Sequence, residues 1–306
     1  MSIRLRHWGS DYGGCCFEIV LPSSRVLIID PMVSASGGTL ADRPQIERAD
    51  YIAVTHNAWQ AVRDAGPVAK KFDSKVICSH ALSYPLKEFH NLEWSNIIAV
   101  TAGNTIVLED LRIEVKKAAH PPHLELLRGL YKQATGQEAS LSMTDPEMIE
   151  FLQSRKPRTT GEEQYRQKVM AVGPSHQGEH LNYVFQTSDN LRIYFYLAGA
   201  YDFLRDEIIH AQPNVFMMQV GRGSDLKRMT EFAALSRAEV FIPFGHKLRK
   251  DQPIDLMAKH LAENGSHAQI LDIDFEQWYE IGCCASSAQH QKSLPDSMTN
   301  KTGGKP

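Results

Sequence analysis

The chain has 306 residues, of which 42% are hydrophobic and 23% charged, with a formal net charge of −3. This balance supports a buried core in one large or two modest domains, and it supplies no basic stripe for a nucleic-acid backbone. No apolar run approaches the roughly 18 residues of a membrane span, and residues 1–9 lack the apolar core of a signal peptide, so no membrane or nucleic-acid partner is expected and a cytoplasmic location is.

The N-terminal stretches Leu5–Trp8 and Cys16–Leu21 read as strands around a Gly-rich turn. Pro22-Ser23-Ser24 is a turn signal before a strongly apolar strand, Arg25–Ile29, which Asp30-Pro31 ends because proline cannot continue a ladder. Pro44–Ala49 is expected to form one helical turn. Tyr51–Val54 is a short buried strand, and the apolar pattern stops at Thr55-His56. A histidine at the carboxyl end of a buried strand lies where α/β proteins place their chemistry.

From Ala58 to Phe72 the apolar residues Val62, Ala65, Val68, Ala69 and Phe72 recur at helical intervals, with a break expected at Gly66-Pro67. Lys75–Cys78 is a strand and Ala81–Phe89 a helix. Ile97–Val100, Thr105–Leu108 and Leu111–Lys117 are strands, the first two joined by Ala102-Gly103-Asn104. The last runs into Ala118-Ala119-His120. Residues 121–180 lack strand character and read as a helical insertion, acting as a lid, an interface element or both, which makes a homodimer an expectation.

Strands resume at Leu181–Thr187 and Leu191–Leu197 around the turn Ser188-Asp189-Asn190. Asp202–Ala211 and Lys227–Ser236 read as helices, Val215–Val220 and Glu239–Pro243 as strands. Ile254–Glu263 is an amphipathic helix closed by Asn264-Gly265, and Gln269–Ile273 is the last strand. Residues 286–306 are polar and read as a disordered tail behind a domain spanning 1–285. The five cysteines, Cys15, Cys16, Cys78, Cys283 and Cys284, are an odd count without a secretion signal and read as reduced thiols. Their vicinal pairs lack the spacer of a zinc ribbon.

The order of landmarks carries a resemblance. A Leu-Ile-Ile-Asp-Pro strand end at Leu27–Pro31 precedes strand-Thr-His at Thr55-His56. Then come Ala119-His120, Tyr194–Gly199 (Tyr-Phe-Tyr-Leu-Ala-Gly) and Phe241–His246 (Phe-Ile-Pro-Phe-Gly-His). Over roughly residues 3–282 the chain resembles the metallo-β-lactamase superfamily, in particular the branch related to ascorbate-6-phosphate lactonase. The resemblance implies a four-layer αββα sandwich with metal held at the sheet edges. It places His56, His120 and His246 at metal-ligand positions, with His56 and His120 also catalytic. Asp202 is a stand-in for the family's bridging aspartate or a helix cap, since Ala200 occupies the aspartate's own place. His56 is either a ligand or a buried histidine held by hydrogen bonds.

The departures from the family pattern are equally specific. In the motif His-x-His-x-Asp-His, Ala58 stands at the second histidine, Gln60 at the aspartate and Ala61 at the last histidine. Asn57, Trp59 and Gln60 are poor zinc ligands. Gly245 changes the family's Pro-x-His spacing before His246, and His123 is an alternative to His120. His176 and His180, in the loop Gly173–His180, are candidate replacement ligands or acid/base groups. Gly221-Arg222-Gly223-Ser224 is an ordinary loop or an anion contact. A standard two-metal centre is therefore not expected. The reading is a divergent hydrolase acting on an ester, lactone or phosphoester with one zinc or other divalent ion. Its alternative is a non-catalytic relative without metal that binds a small molecule or a protein.

Overall fold

The structure, a computed structural model, describes residues 2–8, 16–32, 46–56, 59–118, 132, 135–137, 179–197, 200–220, 225–245 and 254–282. The first half holds strands β1 (Ser2–His7), β2 (Phe17–Val20), β3 (Val26–Ile29), β4 (Tyr51–Ala53), β5 (Lys75–Ser79) and β6 (Ile97–Val100). Then come β7 (Thr105–Val107), β8 (Leu111–Lys117), β9 (Leu181–Thr187), β10 (Arg192–Tyr196), β11 (Val215–Gln219), β12 (Val240–Phe244), β13 (Gln269–Ile270) and β14 (Trp278–Gly282). The helices are α1 (Trp59–Val62), α2 (Ala65–Phe72), α3 (His80–His90), α4 (Arg205–Ala211), α5 (Leu226–Leu235) and α6 (Ile254–Glu263).

Two seven-stranded sheets form, in the orders β14-β1-β2-β3-β4-β5-β6 and β13-β12-β11-β10-β9-β8-β7. Each is built the same way. Pairing from β14 through β1 and β2 to β3 is antiparallel, and from β3 through β4 and β5 to β6 parallel. In the second sheet β7 to β10 pair antiparallel and β10 to β13 parallel.

Alternation along the strands creates the layers. Leu27 and Ile29 of β3 face the second sheet and pack with Phe17, Tyr183, Phe185, Phe195 and Met217. Val26 and Ile28 face the opposite way and pack with Val68, Ala69, Leu82 and Leu86 of α2 and α3. In the second sheet Tyr194, Phe216 and Phe241 turn outward onto Ile208, Phe232 and Leu261 of α4, α5 and α6. The result is the αββα order of layers. Cys16 and Cys78 are buried reduced thiols, and burial raises the pKa of both. Among the described residues no helix is long and apolar enough to cross a membrane.

The turns match their chemistry. Asn190 and Gly103 close hairpins with φ of +66° and +93°, and Gly265 ends α6 with φ of +70°. Three expectations are corrected. The helix expected over Ala58–Phe72 breaks at Arg63-Asp64, not at Gly66-Pro67. Pro67 falls in the first turn of α2, where its missing N–H has no helical partner to lose. Residues 46–49 are irregular rather than helical. β14 was not among the expected strands: of its five residues only Ile281 is buried, so its apolar signal is weak. Most of the 121–180 insertion and all of the 286–306 tail lie outside the described residues, as do Cys15, Cys283 and Cys284.

Phe195 is fully buried between the sheets, stacked on Phe244 at 5.0 Å and edge-on to Phe17 at 5.8 Å. Phe195→Ala is expected to cost about 3–5 kcal/mol in urea unfolding, and a loss under about 1 kcal/mol contradicts this inter-sheet core.

Candidate functional site

The carboxyl ends of the parallel strands meet at one end of the sandwich, stitched together by backbone and side-chain bonds. The Leu181 N–H donates to the Thr55 carbonyl at 2.8 Å, from the second sheet to the first. The Tyr183 hydroxyl donates to the Val54 carbonyl at 2.8 Å in the same direction. Within the second sheet the buried Asn182 ties three strand ends. Its Oδ1 accepts the Leu197 N–H at 2.8 Å, and its Nδ2 donates to the Lys117 carbonyl at 3.2 Å. These bonds fix where the strands leading to His56, His120 and Ala200 stop.

Asp30, one residue past β3, is 1% exposed and has φ of +47°, a left-handed geometry that aspartate tolerates better than most residues. That geometry turns its carboxylate onto the end of β4. Oδ1 accepts the Thr55 N–H at 2.8 Å and Oδ2 accepts the Thr55 hydroxyl at 2.6 Å. Thr55 Oγ1 lies 2.8 Å from His56 Nδ1. A threonine hydroxyl has one proton to donate. With that proton given to an ionised Asp30, Oγ1 accepts from His56 Nδ1–H. His56 is thereby held as the tautomer whose Nε2 carries a lone pair. An outer partner that fixes the tautomer and orientation of a ligand histidine is a recurring feature of metal sites. Burial pushes the Asp30 carboxyl up to about 7, while the two Thr55 bonds favour its ionised form.

His56 is 6% exposed, and its ring centroid lies 5.4 Å from that of His180, which is half-buried just ahead of β9. Sequence reasoning named both residues; the structure brings them together. It does not bring Asp202 to them. The carboxylate of Asp202 is 72% exposed and pairs with Arg228 at 3.0 Å and Arg205 at 3.9 Å. Nor does it cap a helix: Tyr201 is the cap position of a 3-10 turn preceding α4, and no side chain bonds there. His120, His123, His176 and His246 lie outside the described residues, as does Gly221–Ser224. β8 ends three residues before His120, and Gly245, with φ of +81°, precedes His246 at the end of β12. From the sequence alone Asp30 reads only as the end of a strand. The signal for its role was an acid at the buried end of the strand beside the one that delivers His56.

Among the described residues no cluster of three or more His, Cys, Asp or Glu side chains stands ready for an ion. Chemistry at Ala58, Gln60, Ala61 and Ala200 does not fit the family's two-ion set, which needs imidazole and carboxylate donors there. A single ion held by imidazoles fits His56.

No family model matches the chain. Among curated proteins, a UPF0173 metal-dependent hydrolase of Koribacter versatilis is 25% identical over 108 residues, 35% of this chain and 45% of that protein. The match thus spans less than half of that relative's length. Among solved structures, Igni18, a metallo hydrolase from the hyperthermophilic archaeon Ignicoccus hospitalis, superposes with a TM-score of 0.63 at 13% identity, covering 93% of this chain and all of that one. The chain has the metallo-β-lactamase fold. The metallo-beta-lactamase fold protein YhfI from Bacillus subtilis superposes with a TM-score of 0.53 at 9% identity, covering 91% of this chain and 99% of that one. The likeness is to the superfamily; the ascorbate-6-phosphate lactonase branch is carried by the sequence landmarks alone. Within this fold, Thr55-His56 stands just past the carboxyl end of β4.

The Asp30 carboxyl titrates above its unfolded value of 3.8, so the folded chain holds more protons between pH 3.8 and about 7. Its contribution to stability is present below that window and is lost as pH rises through it. Asp30→Asn is expected to flatten the fall in unfolding free energy over this range by up to about 4 kcal/mol, measured by urea unfolding at a series of pH values. Identical pH slopes in the two proteins contradict the buried, shifted carboxyl.

Proposed function

We propose that this chain is a hydrolase of the metallo-β-lactamase fold with a reduced, single-ion site, acting on an ester, lactone or phosphoester. The observation that carries the proposal is the Asp30–Thr55–His56 chain of hydrogen bonds. A histidine kept only for packing needs no buried acid to fix its tautomer, and burying that acid is costly. His56, His120 and His246 would hold the ion, the latter two on the strength of their landmarks. Zinc is the divalent ion that imidazole donors suit, though such donors also take other first-row metals. When bound, such an ion polarises a carbonyl or phosphoryl oxygen and makes a bound water acidic enough to ionise near neutrality.

The chain's own groups do the rest. With Asp30 ionised, Thr55 Oγ1 accepts a hydrogen bond from His56 Nδ1–H and holds the ring in place. Asp30, when ionised, accepts the Thr55 hydroxyl bond and so favours this arrangement. With no carboxylate at Gln60 or Ala200, a second ion has no bridging ligand. Named relatives that are metal-dependent hydrolases support the reaction class. The second reading, a non-catalytic relative that binds a small molecule or protein, is favoured by the alanines at positions 58, 61 and 200.

Expression with zinc, manganese or iron, followed by metal analysis, separates the two readings. The proposal expects about one ion per chain, affinity lowered by more than about 100-fold in His56→Ala, and chelator-sensitive hydrolysis of p-nitrophenyl esters, a lactone or bis-p-nitrophenyl phosphate. Less than about a tenth of an equivalent of every metal, with no turnover, overturns it in favour of the binding reading.

A further inference from the structure

We propose that the cleft on the outer face of the first sheet binds a short peptide with free ends, its ammonium on Glu18 and its carboxylate on Arg4. The inference is independent of the metal reading, since neither Asp30, Thr55 nor His56 lines this cleft.

Strand alternation makes the cleft. Ile3, Leu5, Phe17 and Ile19 of β1 and β2 pack in the inter-sheet core, so Arg4, Arg6, Glu18 and Val20 point outward. Helices α2 and α3 pack over Ile28, Ile52 and Val76 of β3, β4 and β5. Beside them, Trp278 of β14 on one side and Glu47-Arg48 on the other wall a cleft of about 610 Å³. That volume lies within the roughly 300–1,000 Å³ of small-ligand sites.

Glu18 is the observation that points to a ligand. Its side chain is 6% exposed. Oε2 takes three bonds, from Arg6 Nε at 3.2 Å, Arg6 Nη2 at 2.6 Å and Trp8 Nε1 at 3.0 Å. Oε1 takes none among the described residues, and it is not sealed beneath other atoms, so it opens on the cleft. Burial raises the pKa of this carboxyl, and Arg6 and Trp8 offset that only in part. A cationic donor at Oε1 completes the offset.

Arg4 is the opposite end. Its guanidinium lies 4.9 Å over the Trp278 ring and makes no ion pair among the described residues. Glu280, opposite it on β14, accepts the Ser2 hydroxyl at 2.7 Å instead. Between the two ends Arg6 is sandwiched, 3.8 Å from Trp8 and 4.4 Å from Trp278, so the floor is set before a ligand arrives.

Charge and spacing select the ligand. The charged groups of the cleft balance, Arg4, Arg6 and Arg48 against Glu18, Glu47 and Glu276. A simple anion would meet three carboxylates and a simple cation three guanidiniums; a ligand with one charge of each sign finds a partner for both. Arg4 pairs with Val20 and Arg6 with Glu18, so Arg4 and Glu18 are diagonal neighbours on β1 and β2. Such positions lie roughly 7–8 Å apart. Two or three extended residues, at about 3.3–3.6 Å each, cover that span.

Isothermal titration of the full chain with trialanine tests this, beside the N-acetylated and C-amidated forms of the same peptide. Free trialanine is expected to bind once per chain, and each blocked form about 10- to 100-fold more weakly, the range for hydrogen bonds to charged groups. Glu18→Gln is expected to bind the free and N-acetylated peptides alike. Arg4→Gln, at an exposed position that leaves the Arg6–Glu18 pair intact, is expected to bind the free and amidated peptides alike. No binding at about 5 mM trialanine, or equal affinity for the free and both blocked forms, overturns the proposal. Weakening by one block alone makes the cleft a site for a single charge and overturns it as well.

Discussion

The Thr55 hydroxyl is the hinge of this molecule's chemistry. It has a single proton, and the buried Asp30 carboxylate 2.6 Å away, when ionised, accepts the hydrogen bond that proton makes. Everything its oxygen then does toward His56 follows from having no proton left to give. The geometry that permits this is set by backbone pairing. β3 and β4 are parallel neighbours with Ile29 opposite Ala53, so Asp30 falls beside Val54, one residue short of Thr55. The left-handed turn at Asp30 then brings its carboxylate across to the neighbouring strand end. Changing the register by one residue would send Thr55 to the other face and dissolve the relay.

The second sheet completes the site rather than merely covering the core. Its strand β9 begins against the first sheet through bonds from Leu181 and Tyr183 to Thr55 and Val54, and Asn182 ties the ends of β8 and β10 to it. Tyr183 does this from within the inter-sheet core, fully buried, with its hydroxyl matched to a carbonyl. The apolar layer formed by Leu27, Ile29, Phe185, Phe195 and Met217 therefore has a functional consequence. It holds the two sets of strand ends at a fixed separation, and the His56 and His180 rings inherit that separation.

Much of the fold was legible in the sequence. Hairpin turns announced themselves through Ser-Asp-Asn and Ala-Gly-Asn, and period-2 apolar runs located most strands. Two kinds of feature were not legible. β14 pairs along β1 with only Ile281 buried, so its strand character comes from hydrogen bonds to a partner some 275 residues away rather than from its own apolar pattern. The break between α1 and α2 is set by Asp64 giving its N–H to the Pro31 carbonyl at 3.1 Å, a long-range contact that outweighs the local signal of Gly66-Pro67. The site divides in the same manner. His56 could be read from its strand; the partnership with Asp30 required the register of β3 on β4, and the approach of His180 required knowing that Leu181 bonds across the sheets.

In this metallo-β-lactamase fold the buried Asp30–Thr55 pair supports His56, while alanine and glutamine follow it in the chain. Burial pushes the Asp30 pKa up to about 7, a cost partly offset by its two bonds to Thr55. Long-range proton–nitrogen NMR on ring-15N histidine, above pH 7 and with metal removed, tests this most directly. The account predicts that His56 is the Nδ1–H tautomer with an unprotonated Nε2, and that it loses this preference in Asp30→Asn. A His56 found as the Nε2–H tautomer in the wild type would contradict it.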